Sequence, residues 1–441
     1  MVRPRSLLVV VLIAASTLAA TGAPDARASF SGSLRRYPYL TDLVRRNVTV
    51  NWATTTSTGS GTVRWGRAGG DCATQQANAS KTSITVGSTA EYQWKAHVAG
   101  LLRGKRYCYR VYAGSTDLLG SDASPVFRAQ IPRRSTRFSF AVFGDWGQVD
   151  GGGNNQRQSE LMSEIASSGA TFAVTTGDTA YPSGSQTNYG DLVHRGADTS
   201  TIFGPSFWTK AGDHIPLFNA QGNHGMNATT LVNWPQDQAT ATSHGTYRME
   251  TYCCANGTSS ASYPSDWYAF NAGPARFYVL EASWANSNVG NADLYENDFD
   301  AHWTASRAEY QWLQHDLETT TSPCILAAWH HPRWSSGLHG SDATFDPFWQ
   351  LLAAHGADVV LSGHDHDYER FAPKQGVTEF VVGTGGRSHY PMPQTIEGSA
   401  AHDTEDFGVL ELTLHDTGYD WRFHPVGTSA FTDAGSAGCS Q

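Results

Sequence analysis

After residue 136 the chain repeats one pattern, in which a short apolar run ends abruptly in a few polar residues. The runs read FSFAVFGD, TFAVTTGDTAY, IPLFNAQGNH, PCILAAWHH and ADVVLSGHDH. Helix-like stretches such as QRQSELMSEIASSG and ASRAEYQWLQHDLETT lie between them. This alternation is typical of buried strands in a layered α/β domain. Because ligands in such folds gather outside the carboxyl ends of the strands, the polar residues are predicted to meet in one place.

The residues before this region follow a different pattern. Between Tyr37 and Pro132 the segments are short, β-branched and aromatic, as in NVTVNWATT, GTVRWGR and RYCYRVYAG, and turn residues separate them. This pattern predicts an all-β sandwich over residues 37–132. The segment IPRRSTR, residues 131–137, is predicted to link the sandwich to an α/β domain at 136–441.

The N-terminus has the composition of an export signal. It begins with basic residues, continues with an apolar run from Leu7, and ends in small residues around Ala28. The alternative is a membrane anchor, but the apolar run is short for a span of about 20 residues. We therefore expect a secretion signal at 1–28, cleavage near Ala28, and a secreted, extracellular or periplasmic protein. No later segment of the sequence is expected to span a membrane.

Charge and cysteine content limit the partners and the compartment. The formal net charge of −10 argues against an extended nucleic-acid binding surface, because phosphate backbones are bound mainly by Lys and Arg. The six cysteines fit an oxidising compartment, and their spacing favours disulfides over a zinc site. Cys72 and Cys108 form a plausible pair, whereas the pairing among the remaining cysteines stays open: Cys253, Cys254, Cys324 and Cys439.

The side chains that end the apolar runs are those that bind metal ions. They are Asp145, Asp178, Tyr181, Asn223, His330, His364 and His366. Seven ligands are too many for one tetrahedral zinc ion, so two cations are predicted. A shared carboxylate can bridge such a pair, which can then bind both sides of a phosphoryl group. Imidazole and amide oxygen suit a divalent metal, and carboxylate and phenolate suit a more highly charged one.

Each run end also has an ordinary explanation when it is taken alone. Gly-Asp is a common turn or helix cap, and a tyrosine is more often a packed aromatic residue than a ligand. In LSGHDHDYER, residues 361–370, an extended backbone would point His364 and His366 the same way, but polar loops are common too. Five such motifs at five strand ends favour one shared site.

In this order the motifs resemble those of the metallophosphoesterase superfamily. They are GDWG (144–147), GDTAY (177–181), GNH (222–224), HHP (330–332) and GHDH (363–366). The tyrosine in GDTAY and the preceding β domain are similar to features of the purple acid phosphatase branch of this superfamily. The resemblance covers nearly all of the mature chain. It implies a fibronectin-III-like N-terminal sandwich and a C-terminal four-layer sandwich with two mixed β-sheets between helices.

The resemblance also implies a role for each candidate ligand. Asp145, Tyr181 and His366 would hold Fe(III); Asn223, His330 and His364 would hold a divalent Zn, Fe or Mn; and Asp178 would bridge the two ions. His330 is assigned rather than its neighbour His331, because the family pattern places the ligand directly at the strand end.

Two further histidines receive catalytic roles from the same resemblance. His224 of GNH and His339 of SSGLHG match family histidines that contact the phosphate. The family commonly has an acidic residue after GNH, whereas Gly225 stands here. Both imidazoles would neutralise charge on the phosphoryl oxygens or protonate the leaving group.

The expected protein is a secreted acid phosphomonoesterase that acts on small phosphate esters. A metal-bound hydroxide would attack phosphorus directly, and a ferric ion would give an acidic pH optimum. The alternatives are a phosphodiesterase or nucleotide pyrophosphohydrolase on the same core, or a non-catalytic secreted binding protein. The sequence leaves open the oligomeric state and the role of the polar segment 227–266.

Overall fold

The computed structural model describes most of the chain outside the N-terminal segment and several internal stretches. The described residues are 31–57, 59–135, 137–146, 156–181, 186–194, 202–204, 208–220, 222–224, 267–280, 308–427 and 430–440. The predicted signal at 1–28, the polar segment 227–266 and the pair Cys253 and Cys254 lie outside these residues.

Eight strands form the N-terminal β domain. They are β1 Leu34–Val44, β2 Asn47–Thr54, β3 Gly61–Arg67, β4 Gln75–Val86, β5 Thr89–Val98, β6 Arg106–Ala113, β7 Thr116–Asp117 and β8 Val126–Arg128. All pairs within the domain are antiparallel, in the order β1-β2-β5-β4-β3-β6, with β7 and β8 beside β6. Every residue of β2 from Val48 to Thr54 is buried, so both faces of this strand are covered. The predicted disulfide between Cys72 and Cys108 is confirmed.

The following strands and helices form the C-terminal domain. The strands are β9 Arg137–Phe143, β10 Ala173–Thr175, β11 Leu217–Asn219, β12 Tyr268–Ala272, β13 Ala275–Val279, β14 Cys324–Ala328, β15 Val359–Ser362, β16 Tyr368–Phe371, β17 Thr378–Val382, β18 Ser399–Asp403, β19 Gly408–His415, β20 Gly418–Pro425 and β21 Ala434–Gly438. The helices are α1 Gln156–Ser167, α2 Gln186–Tyr189, α3 Ala308–Thr319 and α4 Asp346–Ala354. Among the described helices, none is long and apolar enough to cross a bilayer.

The C-terminal strands form two sheets, and both are mixed. The first runs β21-β20-β19-β9-β10-β11, in which β9, β10 and β11 are parallel and β19 to β21 are antiparallel. The second runs β12-β13-β14-β15-β17-β16-β18, with four parallel strands from β13 to β17 and antiparallel strands at its edges. The two mixed sheets that the family resemblance implied are therefore confirmed.

Aromatic side chains pack the two sheets face to face. Phe172 and Phe218 from the first sheet contact Phe270 and Phe277 from the second, and the rings of Phe218 and Phe270 stack with centroids 3.7 Å apart. Such large buried rings supply much of the hydrophobic stabilisation of a core.

Helices cover the outer faces of both sheets. Helix α1 buries Leu161, Met162 and Ile165 against the first sheet, while Trp312 of α3 packs on Tyr278 of β13. The result is the expected four-layer arrangement of helices, sheet, sheet and helices. A second disulfide, between Cys324 and Cys439, confirms that disulfides rather than zinc account for the described cysteines.

Candidate dinuclear metal centre

The predicted ligands meet at the carboxyl ends of the parallel strands, on the edge where the two sheets come together. β9, β10 and β11 of the first sheet lead to Asp145, Asp178 and Asn223. β14 and β15 of the second sheet lead to the histidines. Each strand ends a few residues before its ligand. The ligand therefore lies in the turn that follows the strand, and these turns converge on the site.

Three of the ligands lie in tight turns with left-handed backbone. The φ angles are 55° at Asp145, 47° at Asp178 and 69° at His364. The extended geometry expected for residues 361–370 is therefore wrong at His364, whose main-chain N–H donates to Asp145 Oδ2 at 3.0 Å. Left-handed non-glycine residues cost on the order of 1 kcal/mol each and persist where surrounding contacts fix them, as is common at functional sites.

Glycines precede these ligands because the turns approach one another closely. A Cβ atom on Gly363 would lie 2.5 Å from Asp145 Oδ2, and one on Gly222 would overlap Asp178 Oδ1. The space that a methyl group needs is already occupied by the carboxylates of the neighbouring turn. The Gly-Asp, Gly-Asn and Gly-His pairs of the motifs thus follow from the packing of the site.

One group of ligands surrounds the hydroxyl of Tyr181. The hydroxyl donates to Asp178 Oδ2 at 2.9 Å and lies 3.2 Å from Asp145 Oδ1 and 3.3 Å from His366 Nε2. Tyr181 and both aspartates are almost completely buried. Two carboxylates, a phenol and an imidazole therefore converge on one small volume.

A second group surrounds Nε2 of His330. This atom lies 3.0 Å from Asn223 Oδ1 and 3.2 Å from Asp178 Oδ1, and the ring centroid of His364 is 5.1 Å from that of His330. Asp178 belongs to both groups, since its Oδ2 contacts Tyr181 and its Oδ1 faces His330.

Main-chain carbonyls orient two of the imidazoles. His330 Nδ1 donates to Thr176 O at 2.8 Å, and His366 Nδ1 donates to Ser388 O at 2.7 Å. The remaining Nε2 atoms therefore face the carboxylates. An imidazole that donates from one nitrogen to a fixed acceptor and presents the other to the site is the usual arrangement of a metal-binding histidine.

The electrostatics of the cluster fit a cation site. Burial raises the pKa of Asp145 well above its ordinary range, with a further contribution from the Asp178 charge. Burial alone would lower the pKa of His330, but Asp178 and Asp145 outweigh it and raise that pKa to about 9. Negative charge is thus concentrated in a buried volume where a positive charge is needed.

The donor set meets the remaining requirement for metal binding. Ligand atoms of Asp145, Asp178 and His330 all lie within 4.8 Å of one another. Oxygen and imidazole donors in this mixture suit first-row transition metals. The residues present therefore fit a pair of metal ions.

The two histidines expected to contact phosphate also lie at the cluster. The main-chain N–H of His224 donates to Asp178 Oδ1 at 2.7 Å, and its ring lies 4.6 Å from that of Tyr181. The ring of His339 lies 4.3 Å from that of His364. Gly225 lies outside the described residues.

Sequence reasoning missed the buried carboxylates that hold the His339 loop. His339 N–H donates to Asp365 Oδ1 at 2.8 Å, and Ser336 N–H donates to Glu369 Oε2 at 2.7 Å. Glu379 of β17 accepts from the main-chain N–H groups of Arg333 and Trp334, and burial raises its pKa to about 8. The available signal was an acidic residue inside an apolar strand, as in TEFVV.

The loop that follows β17 also reaches the site. His389 donates from Nδ1 to His366 O at 2.7 Å. Tyr390 stacks on the ring of His366 with centroids 4.0 Å apart, and the guanidinium carbon of Arg387 lies 5.1 Å from the Tyr181 ring centroid. Neither Arg387 nor Tyr390 was predicted, because a glycine turn alone carries no chemistry.

Comparisons with known proteins match both parts of the chain. The family described as calcineurin-like phosphoesterase matches residues 138–368, and the family described as purple acid phosphatase, N-terminal domain, matches residues 37–131. Tartrate-resistant acid phosphatase type 5 of Rattus norvegicus is 25% identical over 260 residues, which cover 56% of this chain and 72% of the rat protein.

Two further similarities come from plants. Purple acid phosphatase 15 of Arabidopsis thaliana is 27% identical over 185 residues, covering 39% of this chain and 30% of that protein. The structure of purple acid phosphatase PPD1 from yellow lupin (Lupinus luteus) seeds superposes with a TM-score of 0.63 at 16% identity, covering 92% of this chain and 74% of the lupin chain. At that identity the superposition shows a shared fold.

Proposed function

The chain belongs to the calcineurin-like phosphoesterase family and is a phosphoric-ester hydrolase, and we propose that its preferred reaction is hydrolysis of phosphomonoesters at acidic pH. The observation that carries the proposal is the position of Asp178, with Oδ2 beside the Tyr181 hydroxyl and Oδ1 beside His330 Nε2. A carboxylate shared in this way can bridge two cations. The names of the rat and plant relatives favour an acid phosphatase over other phosphoesterases.

The family implies a dinuclear metal site, and the two contact groups support a division of the ligands. In this proposal Asp145, Tyr181 and His366 hold Fe(III); Asn223, His330 and His364 hold a divalent Zn, Fe or Mn; and Asp178 is shared. When bound, the cations lower the pKa of a coordinated water molecule and neutralise charge on the phosphoryl oxygens.

In the same proposal His224 and His339 act on the phosphoryl group. His224 is held next to the shared carboxylate through its own main-chain N–H, and His339 is held next to His364 through Asp365. The side chain of His224 is half-buried and that of His339 is exposed, so a substrate can reach both. Imidazoles in these positions can donate hydrogen bonds to phosphoryl oxygens or a proton to the leaving alcohol.

Export of the protein is also part of the proposal. The two disulfides fit an oxidising compartment. We assign residues 1–28 to a signal removed near Ala28, residues 37–132 to the N-terminal β domain and residues 136–441 to the catalytic domain.

The test combines spectroscopy, metal analysis and two substrates. The purified protein should contain two metal ions per chain and show a visible absorption band from the Tyr181 phenolate to iron. Tyr181→Phe should lose this band, whereas Tyr92→Phe, in the N-terminal β domain, should keep it. 4-Nitrophenyl phosphate should be hydrolysed faster than bis(4-nitrophenyl) phosphate, with an optimum below pH 7.

Other results would select the alternatives. A colourless zinc protein that hydrolyses esters would remove the tyrosine–iron assignment. A preference for the bis ester would favour a phosphodiesterase. A protein with both metals bound and no hydrolytic activity would favour the non-catalytic binding protein.

A further inference from the structure

The loop Gly383–Tyr390 is fixed against the turn that carries Asp145. Gly385 N–H donates to Gly144 O at 2.8 Å, and Arg387 N–H donates to Asp145 O at 2.9 Å. A side chain on Gly385 would overlap Gly144 O, so this close approach requires glycine. The main chain at Arg387 is therefore held directly beside a candidate metal ligand.

The same loop is fixed to His366 from two sides. His366 Nδ1 donates to Ser388 O, and His389 Nδ1 donates to His366 O, each at 2.7 Å. Tyr390 then stacks on His366 with an interplanar angle of 15° and lies edge-on to His339, with ring centroids 5.2 Å apart. The loop thus forms one side of the site and is held there by these hydrogen bonds and ring contacts.

The guanidinium of Arg387 lies on this side of the site, and no described carboxylate pairs with its positive charge. Its carbon lies 5.1 Å from the ring centroid of Tyr181, the residue whose hydroxyl contacts both aspartates. Among the described residues, its buried Nε has no hydrogen-bond partner, and Nη1 donates only to the hydroxyl of the adjacent Ser388. Within the part of the chain that the structure describes, Arg387 forms no salt bridge with a carboxylate.

These observations point to an anion as the missing partner. A buried guanidinium donor that finds no acceptor is costly, and the planar fork of N–H groups matches the oxygens of a phosphoryl group. We propose that Arg387 binds a nonbridging oxygen of the substrate and makes the site prefer dianionic phosphomonoesters to monoanionic diesters. This inference rests on the proposed function, and it names Arg387 as the residue that makes the enzyme prefer monoesters.

The preference follows from charge. Above its second pKa of about 6, a phosphomonoester carries two negative charges, whereas a diester carries one. An additional fixed cation beside the site therefore stabilises the bound monoester more than the bound diester. The second ester group of a diester also removes one oxygen that a guanidinium could bind.

The test uses Arg387→Met, Arg387→Lys and a matched control, Arg134→Met, on an exposed arginine of the linker. At pH 7, Arg387→Met should lower kcat/KM for 4-nitrophenyl phosphate relative to bis(4-nitrophenyl) phosphate by about ten- to a hundredfold, the range of one charge-assisted hydrogen bond. Inhibition by inorganic phosphate should weaken by a similar factor. Arg387→Lys should recover part of the effect, and Arg134→Met should match the wild type.

The outcomes separate this inference from the proposed function. An unchanged ester ratio and unchanged phosphate inhibition in Arg387→Met would overturn it, as would a loss of bound metal that shows a structural role. If the wild type hydrolyses neither ester, the proposed function fails. Calorimetric titration of the metal-loaded proteins with inorganic phosphate then still tests Arg387, because equal affinity in Arg387→Met would overturn its role in phosphate binding.

Discussion

His330 and His331 are adjacent histidines with different surroundings. Nε2 of His330 faces Asn223 and Asp178, whereas the ring of His331 lies parallel to that of Phe345, with an interplanar angle of 11°. We expect His330→Gln to lose bound divalent metal and more than about a hundredfold in kcat/KM, because changes even in the outer partners of a metal site cost about 10- to 100-fold. Atomic emission of the purified variant, with assays on 4-nitrophenyl phosphate, measures both.

His331→Gln is the control for His330→Gln, because it changes the adjacent histidine, and it should retain both metals. The exposed His402→Gln controls for the loss of any imidazole. If His331→Gln lost a metal ion while His330→Gln kept it, the choice between the two histidines would be reversed.

The identity of the ligands could be predicted from the sequence, but their local geometry could not. Asp145, Asp178 and His364 were found because their residue types follow apolar runs. Their left-handed backbone depends on hydrogen bonds between turns that are far apart in sequence, such as that from His364 to Asp145. For the same reason the role of Glu379 could not be predicted, because the main-chain N–H groups that it accepts from, those of Arg333 and Trp334, are far away in the chain.

At the scale of single elements, a buried acidic pair joins β5 to the segment after α2. Glu91 of β5 and Asp191 are both fully buried, and His194 contacts both. Arg35 and Arg36 of β1 also influence Glu91 electrostatically. Burial and the proximity of Asp191 outweigh these arginines and raise the pKa of Glu91 from 4.5 to about 9.

This pair predicts a pH-dependent stability at the junction. Between about pH 4.5 and pH 9 the folded state keeps the Glu91 proton and the unfolded state does not. The free energy of unfolding should therefore fall as pH rises through that window, with a slope that approaches about 1.4 kcal/mol per pH unit. Glu91→Gln should flatten the fall and raise the melting temperature at pH 8.5. Denaturation from pH 5 to pH 9 measures the effect.

The control for this prediction is Glu318→Gln on the exposed face of α3, which should keep the wild-type pH dependence. An identical slope for Glu91→Gln and the wild type would show that Glu91 ionises normally in the folded protein.

The two disulfides offer a matched comparison between elements. Cys324–Cys439 closes a separation of 115 residues, against 36 for Cys72–Cys108. If constraint of the unfolded chain dominates, removing the longer link should cost about 1 kcal/mol more than removing the shorter one, within a typical total of about 2–5 kcal/mol. Urea denaturation of the two double Cys→Ala variants measures this difference, and equal losses would contradict the entropic account.

At the scale of the whole molecule, the sheet of the N-terminal domain continues into the catalytic domain. β1 pairs in parallel with β11 at Thr41 and Leu217, and the Tyr109 hydroxyl donates to Asp213 O at 2.8 Å. The spacing of apolar residues and the positions of turn residues predicted both domains, because these signals are local in the sequence. They could not predict this pairing, since its partners Thr41 and Leu217 are 176 residues apart in the chain.

The metal centre should therefore stabilise the whole described structure. Asp145 and Asp178 come from the first sheet and His330 and His364 from the second, so bound cations link the two layers. A ligand present at a hundredfold excess over its Kd stabilises the folded state by about 2.7 kcal/mol. Removing the metals by chelation should therefore lower Tm by about 3 °C for each ion bound at that excess, since an unfolding entropy of about 2.1 cal/mol/K per residue makes one kcal/mol equal to about 1 °C in a chain of this length.

Calorimetry before and after chelation checks the coupling. Because β1 joins the N-terminal domain to the first sheet, a single transition should move as a unit when the metals are removed. Asp178→Asn, which lacks the shared carboxylate, should already melt at the lower temperature and change little on chelation. Asp416→Asn, an exposed carboxylate, should respond like the wild type. Separate transitions, with only one sensitive to the chelator, would mean that the continuous sheet does not transmit the stabilisation between the domains.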